Sequence, residues 1–402
     1  MTNTITRLGS ANMYDRTVNN LAERQAKLAN LMESTSAGKR VLRASDDPVA
    51  AAQAERARTR MDRTDADQRA LDAQVSIIKE GESTLGSANN ALQELRSLMV
   101  NAGNGTYTQT ERDALVAKMG SLRDQIESFA NRTDSNGLPL FRGLGSPEQP
   151  VQGGSFLGQS GQTSSSVNGI ANTLDGAAAF MNVPTGNGVL AVNRGAGSTG
   201  KAWTDIGSIT DPSAAAAAAT ANPPIAITFS VGADGATSYS IAGAAAVPYK
   251  SGEKISVAGM NLQITGQPAD GDSFTIGASE RSDLFSVLDA AIGAVRNGVN
   301  ADGSTASGAL AHGVAKALAE IDTGMNRMQA VRGFAGDLLN RADTLSDNLD
   351  KRSVQLEADR SAAEDVDMIN ALSELKTQQT GYSAALQSYA QIQKLSLFDY
   401  IG

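Results

Sequence analysis

The side chains that usually carry chemistry are scarce in this chain, and those present are scattered. Cysteine is absent, which removes disulfides, thiolate metal sites and cysteine nucleophiles. Histidine occurs once, at His312, so no site built on several imidazoles can be written, and a Ser-His-Asp triad would have to recruit this one residue. No Ser-Asp arrangement accompanies it, and its glycine-rich flanks suit a helix start, so His312 reads as structural or solvated. Glu364, Asp365 and Asp367 offer oxygens to a metal ion, but no further oxygen-ligand pattern follows, and a solvated helix face suits them better. Arg56, Arg58, Arg60 and Arg63 form a basic run that Glu55, Asp62, Asp65 and Asp67 balance, the pattern of a salt-laced exposed helix. The glycine strings at Gly153-Gly154 and from Gly195 to Gly200 lack the Gly-Lys-Ser/Thr of a phosphate loop. No catalytic, cofactor-binding or metal-ligating residue is assigned, and no cofactor is expected.

Composition narrows the classes further. Of 402 residues 41% are hydrophobic, ample for buried cores, yet only 4% are aromatic and 40 are glycine. Such a chain must bury Ala, Leu, Val and Ile along extended seams, because it lacks the rings that fill a compact centre. The formal charge of -9 argues against sequence-blind binding of nucleic acid, which needs a basic surface to displace phosphate counterions. No stretch approaches the roughly 18 apolar residues of a membrane span, and residues 1–10 have no apolar centre of signal-peptide length, so neither insertion nor ordinary secretory export is signalled.

Proline divides the chain, since it removes a helix donor and clashes with the preceding turn. Residues 49–138 and 269–402 contain none, while eight of the ten prolines and 22 of the 40 glycines lie between 141 and 280. The order is helix, then strand and turn, then helix. Tyr14, Val18, Leu21, Gln25, Leu28, Met32 and Thr35 alternate spacings of four and three, a coiled-coil stripe that Gly38 can end. Lys39 and Arg40 follow where the carbonyl end of a helix favours cations. In Ser45-Asp46-Asp47-Pro48, Asp47 suits an N-cap and Pro48 the first helical position. The helix that begins there carries Leu71, Val75, Ile78, Leu85, Leu92 and Met99 to about Ala102, and at about 1.5 Å per residue it spans roughly 80 Å. Gly81 and Gly86 inside it mark a kink or a close backbone approach. Thr108 and Glu111 have capping-box spacing for a further helix through Phe129, and Asn136-Gly137 opens a hairpin.

The middle alternates. Ile225, Ile227, Phe229 and Val231 pair through the turn Gly232–Gly235 with Tyr239 and Ile241; Ile255–Val257 pairs with Leu262–Thr265, and Phe274–Ile276 forms a further strand. Ala214–Ala219 reads as a linker or loop, with a short helix as the alternative. From Leu310 a stripe resumes through Ile321, Met328, Leu338 and Leu349. Its phase slips between about 350 and 367, which predicts a joint, and Met368, Leu372, Leu375, Gln379, Tyr382, Leu386 and Tyr389 then begin a separate register.

The first and last stripes match in length, and antiparallel pairing would set Tyr14 near Tyr389 and Thr35 near Met368, bringing Lys39, Arg40 and Arg43 toward Glu364, Asp365 and Asp367. Solvated ion pairs of this kind are worth only about 0–1 kcal/mol each, so they can set register but hardly drive association. Burying a large apolar side chain is worth roughly 1.5–3 kcal/mol. Two helices cannot cover Ile369, Ile392, Leu395, Leu397, Phe398, Tyr400 and Ile401 as well, which points to other subunits and to termini that order on assembly.

The run Ser36-Ala-Gly-Lys-Arg-Val-Leu-Arg-Ala-Ser-Asp-Asp-Pro-Val-Ala-Ala-Ala-Gln53 resembles the N-terminal signature of the hook-filament junction family, the third hook-associated proteins of the bacterial flagellin superfamily. Ala371-Leu-Ser-Glu-Leu-Lys-Thr-Gln-Gln-Thr-Gly-Tyr-Ser-Ala-Ala-Leu-Gln-Ser-Tyr-Ala-Gln-Ile-Gln-Lys-Leu-Ser-Leu-Phe398 resembles its C-terminal signature. The likeness covers about 1–140 and 283–402; Arg43-Ala44 departs from it, since the family more often has proline before Ser45. Filament flagellin shares the helical ends, but its usual Asn-Arg-Leu-Ser-Ser-Gly segment and its tail differ from those found in this chain.

The expected fold is α+β, a long-helix coiled-coil rod formed by both chain ends with an inserted β-rich outer domain. Its parts are an N-terminal assembly helix (1–40), the N-terminal part of the rod (41–140), the outer domain (141–282), the C-terminal part of the rod (283–364) and a C-terminal assembly helix (365–402). The assembly surface is assigned to Tyr14, Leu21, Leu28, Met32, Met368, Leu372, Leu375, Gln379, Tyr382, Leu386, Tyr389, Leu395 and Phe398, and the helix break and caps to Gly38, Lys39, Arg40, Ser45, Asp46, Asp47 and Pro48. The resemblance implies a non-enzymatic homo-oligomeric ring in the extracellular flagellum, between hook and filament. It also implies contacts with a neighbouring junction protein and flagellin, export through the flagellar type III apparatus, and a chaperone on the C-terminal helix. A filament-forming flagellin and a flagellin-like protein with an enzymatic insert are the alternatives.

Overall fold

The computed structural model describes the backbone of residues 3–104, 107–145, 149–161, 170–171, 173–298 and 307–401; side chains in the first helix are described from residue 15 and in the last up to residue 391. Eight helices are described: α1 (Asn3–Ala37), α2 (Pro48–Ala102), α3 (Gln109–Ala130), α4 (Gly176–Phe180), α5 (Pro212–Ala219), α6 (Leu284–Arg296), α7 (Ser307–Glu364) and α8 (Met368–Ile401). Among the described residues thirteen short strands lie between α3 and α6, so the fold is α+β, with long helices toward both ends of the chain and a β-rich middle. The chain divides into two compact units, residues 1–70 with 346–402 and residues 71–345, and both divisions fall inside the long helices α2 and α7.

In the larger unit the α2 stripe is sealed at Leu71, Ile78, Leu85, Leu92 and Met99, and the α7 stripe at Leu310, Ile321, Met328, Ala335 and Ala342. Ion pairs tie the two helices across this seam: Arg96 donates to both oxygens of Asp322 at 2.6 and 3.1 Å, and Arg332 reaches Glu82 at 2.5 and 2.9 Å. Gly81 is a close approach, since a Cβ there would lie 2.7 Å from Leu174 Cδ1; α2 continues unbroken through it. Thr108 and Glu111 form the reciprocal capping box at the start of α3, which packs on α6. Phe180 joins the helical layer to the middle of the chain, edge-on to Phe141 at 5.4 Å and stacked with Phe285 at 6.2 Å between ring centres.

The β-rich part follows its turn chemistry. Strand 225–231 pairs antiparallel with 237–241, setting Ile227 opposite Ile241 and Val231 opposite Thr237. Strand 254–257 turns through Ala258 and Gly259, both at positive φ, into 260–265. A five-stranded sheet has the order 190–194, 273–278, 225–231, 237–241, 247–248, and its inward residues Val192, Ile227, Phe229, Phe274 and Ile276 join Ile255, Leu262 and Ile264 in one core. Ala214–Ala219 belongs to a helix, started by Asp211, whose carboxylate accepts from the amides of Ser213 and Ala214. His312 lies in this core, buried and 5.7 Å from the Phe274 ring, so it is structural rather than solvated.

Candidate assembly surface

The smaller unit holds most of the residues the sequence singles out. Gly38, at φ 70°, ends α1, as a left-handed glycine does at C′. In the connection that follows, Asp46 accepts from the amides of Leu42 and Arg43 at 3.2 and 2.8 Å, while Ser45 is exposed beside it. Asp47 caps α2 by accepting from Val49 and Ala50 at 3.2 and 3.0 Å, with Pro48 as the first helical residue. The Ala50 amide, with Arg40 beside it, holds the Asp47 carboxyl below its usual range.

Of the three cations in that connection, two meet the end of α7. The Lys39 ammonium contacts the Glu364 carboxylate, and Arg40 donates to the Ala363 carbonyl at 2.8 Å as well as to Asp47 at 3.2 Å. Arg43 does not join them: its guanidinium pairs with Glu33 of α1. Asp367 is not part of that charge cluster either, since it caps α8 by accepting from the amides of Ile369 and Asn370. Arg58 keeps the local pair expected on a salt-laced face, with Glu55 at 3.8 Å, and also reaches both oxygens of Glu364, at 2.5 and 2.7 Å. A partner 306 residues away leaves no local spacing signal, which is why the sequence hides this pair.

The joint between the last two helices is the break at 365–367. The α7 seam does not slip before it: Leu345, Leu349, Ser353, Leu356, Arg360 and Ala363 continue the spacing of three and four on the covered side. Ala54, Ala57 and Thr64 line the buried side of α2 in the same unit, where Gln68 donates to Ser346 at 2.9 Å.

Helices α1 and α8 pack against each other antiparallel, with the Arg24 guanidinium lying over Gly381. Their shared seam is not the whole of either predicted stripe. On α1 it uses Leu21, Leu28 and Leu31, half-buried, and leaves Val18, Gln25 and Met32 exposed. On α8 it uses Ala371, Leu375, Gln378, Tyr382, Ala385 and Tyr389, and leaves Met368, Leu372, Gln379 and Leu386 exposed. Small residues at 371, 381 and 385 let the backbones approach, so the large aliphatics beside them turn outward. Ile369 is 83% exposed, Leu372 51%, Met32 50% and Leu386 43%. The side chains of Tyr14, Ile392, Leu395, Leu397, Phe398, Tyr400 and Ile401 lie outside the described residues. No group of three or more His, Cys, Asp and Glu suited to a metal occurs among the described residues, and no described helix is long and apolar enough to cross a membrane.

Residues 10–146 match the family model of the bacterial flagellin N-terminal helical region, and residues 318–401 that of the bacterial flagellin C-terminal helical region. Flagellar hook-associated protein 3 of Salmonella typhimurium is 34% identical over 152 residues, covering 36% of this chain and 45% of that protein. Flagellar hook-associated protein 3 of Escherichia coli is 25% identical over 403 residues, 98% of each chain. The chain thus spans less than half of the first relative's length and nearly all of the second's. The crystal structure of the flagellar junction protein from Legionella pneumophila superposes with a TM-score of 0.64 at 26% identity, over 72% of this chain and 99% of that one. With both flagellin helical regions in order, together more than half of its length, and this likeness end to end, the chain belongs to the flagellin superfamily, in its hook-associated protein 3 family.

Proposed function

We propose that this chain is a structural part of the bacterial flagellum that joins hook to filament and works mechanically, without catalysis. Copies assemble through their terminal helices into a ring at the junction, between a neighbouring hook-associated protein on one side and flagellin on the other, and the interlocked helices transmit torque. The chain leaves the cell through the flagellar export apparatus, with a chaperone shielding the C-terminal helix until assembly. The observation that carries this reading is the row of large aliphatics on α1 and α8 that the helix pair leaves to solvent, Met32, Ile369, Leu372 and Leu386 among them. Exposed apolar patches of this kind mark protein contacts. Family membership supports the flagellum as the assembly these contacts serve.

A filament-forming flagellin and a junction protein differ in what they do alone. Purified chain at high concentration, seeded with sheared filament fragments, is expected to remain without long tubes by electron microscopy, and to restore filament growth when supplied to cells lacking their own junction protein. Tubes grown from this chain alone would make it a flagellin instead.

A further inference from the structure

Glu364 is an acid in an unfavourable place. It is the last residue of α7, where unpaired carbonyls disfavour negative charge, and its side chain is only 8% exposed. Three cations from three parts of the chain surround the carboxylate: Lys39 from the connection after α1, Arg58 from α2 at 2.5 and 2.7 Å, and Arg360 one turn earlier on α7 at 3.3 Å. Burial pushes this carboxyl up, but hydrogen bonds from Lys39 and Arg58 outweigh it and hold the group below its usual range.

The backbone around it is cross-linked as well. The Glu364 carbonyl accepts from the amides of Arg40 and Val41 at 2.8 and 3.3 Å, and Val366 donates to the Gly38 carbonyl at 3.1 Å. Lys39 and Asp365 form an isolated antiparallel bridge. The two connections that carry the α1–α8 pair, 38–47 and 365–367, therefore meet at one residue and are tied there to α2. A buried ionic group of this kind contributes little net stability against an apolar replacement, and its best-attested use is to fix register.

We propose that Glu364 is the pin of a two-loop joint: its carboxylate locks both connections onto α2, so that the terminal helix pair holds one direction on the long helices instead of swivelling. This is a property of the single chain and does not rest on the junction reading.

The absence of cysteine allows site-directed spin labelling without background. One label pair spans the joint, Asn30→Cys on α1 with Arg60→Cys on α2; a second stays within the terminal pair, Asn30→Cys with Gln379→Cys. Pulsed dipolar spectra of the full chain are expected to show one narrow distance across the joint. With Glu364→Gln that distribution should broaden at least twofold, with Lys39→Met, which removes one cation of three, by less, and the pair within α1–α8 should stay narrow in both. Glu23→Gln, which breaks the exposed Lys27 pair on α1, is the control and should change neither. Unchanged width across the joint in both Glu364→Gln and Lys39→Met would overturn the proposal. So would equal broadening of both label pairs, because Glu364 would then be supporting the whole unit rather than its joint.

Discussion

Leu372→Glu and Leu386→Glu each leave the isolated chain folded and stop it from entering flagella. Both side chains are large, apolar and about half exposed, and neither belongs to the α1–α8 seam, so the monomer loses little: surface changes of this kind shift stability by about 0.5 kcal/mol or less. In an assembly the arithmetic reverses. A leucine covered by a neighbouring copy contributes roughly 1.5–3 kcal/mol, and a carboxylate in its place must be desolvated without a partner. In the proposed ring, symmetry repeats that penalty at every contact. Incorporation should fall at least tenfold for either variant, measured by immunoblot of sheared flagella and by the diameter of swimming zones, with thermal unfolding of the purified chain unchanged. Leu375→Glu is the contrasting case. It sits in the seam between the two helices, so it should loosen α1 and α8 in the monomer, with faster proteolysis near both ends.

Acid should weaken the larger unit through His312, a second large effect. Burial is the main cause that drives this imidazole down to about 4, with Lys316 and Arg194 adding repulsion, against hydrogen bonds to the Thr204 and Val192 backbone. The Phe274 ring covers another side, and the buried Nδ1 has no hydrogen-bond partner. The fold thus prefers the neutral ring. The contribution is fully present above the unfolded value near 6.5, declines as pH falls, and is lost by the time pH passes below about 4. The depression corresponds to about 3 kcal/mol at the acid limit. Urea unfolding at pH 7, 5.5, 4.5 and 3.5 checks this against His312→Gln, so that the titration of carboxylates shared by both proteins cancels. Wild type should lose about 3 kcal/mol more than the variant between pH 7 and 3.5. Parallel curves would mean that the imidazole is free to protonate in the folded chain.

How far the sequence reveals this molecule depends on whether the signal is local. Gly38, Asp47-Pro48 and the Thr108–Glu111 box announce helix ends because capping is decided within a single turn, and Gly232–Gly235 announces its hairpin for the same reason. The deep stripes of α2 and α7 are legible because large aliphatics recur there on one side only. Strand 190–194 is not: Leu190-Ala-Val-Asn-Arg194 is short, holds one alanine, and lies among glycines that resemble loop. In α8 two apolar stripes run side by side, and the seam takes the one that places Ala371 and Ala385 beside Leu375, Tyr382 and Tyr389, while Leu372 and Leu386 face out. Size alone ranks them the wrong way round. What separates them is which face two backbones can approach, and that depends on both helices at once. The Glu364 cluster is half legible: opposite charge draws Lys39 and Arg40 toward it, whereas Arg58 sits in a run of arginines whose nearest acids are all local.

The central claim is that the outward aliphatics of the terminal helices meet other copies. Because the chain has no cysteine, a single Ile369→Cys, Leu372→Cys or Leu386→Cys can be tested by mild oxidation and short bismaleimide cross-linking in intact flagella. The expected result is a ladder of dimers and higher species from at least one of these positions, absent from free monomer at the same concentration and absent from Ala244→Cys in the β-rich region. Monomer from all three positions, in flagella that carry normal filaments and contain the cysteine variants, would contradict the claim.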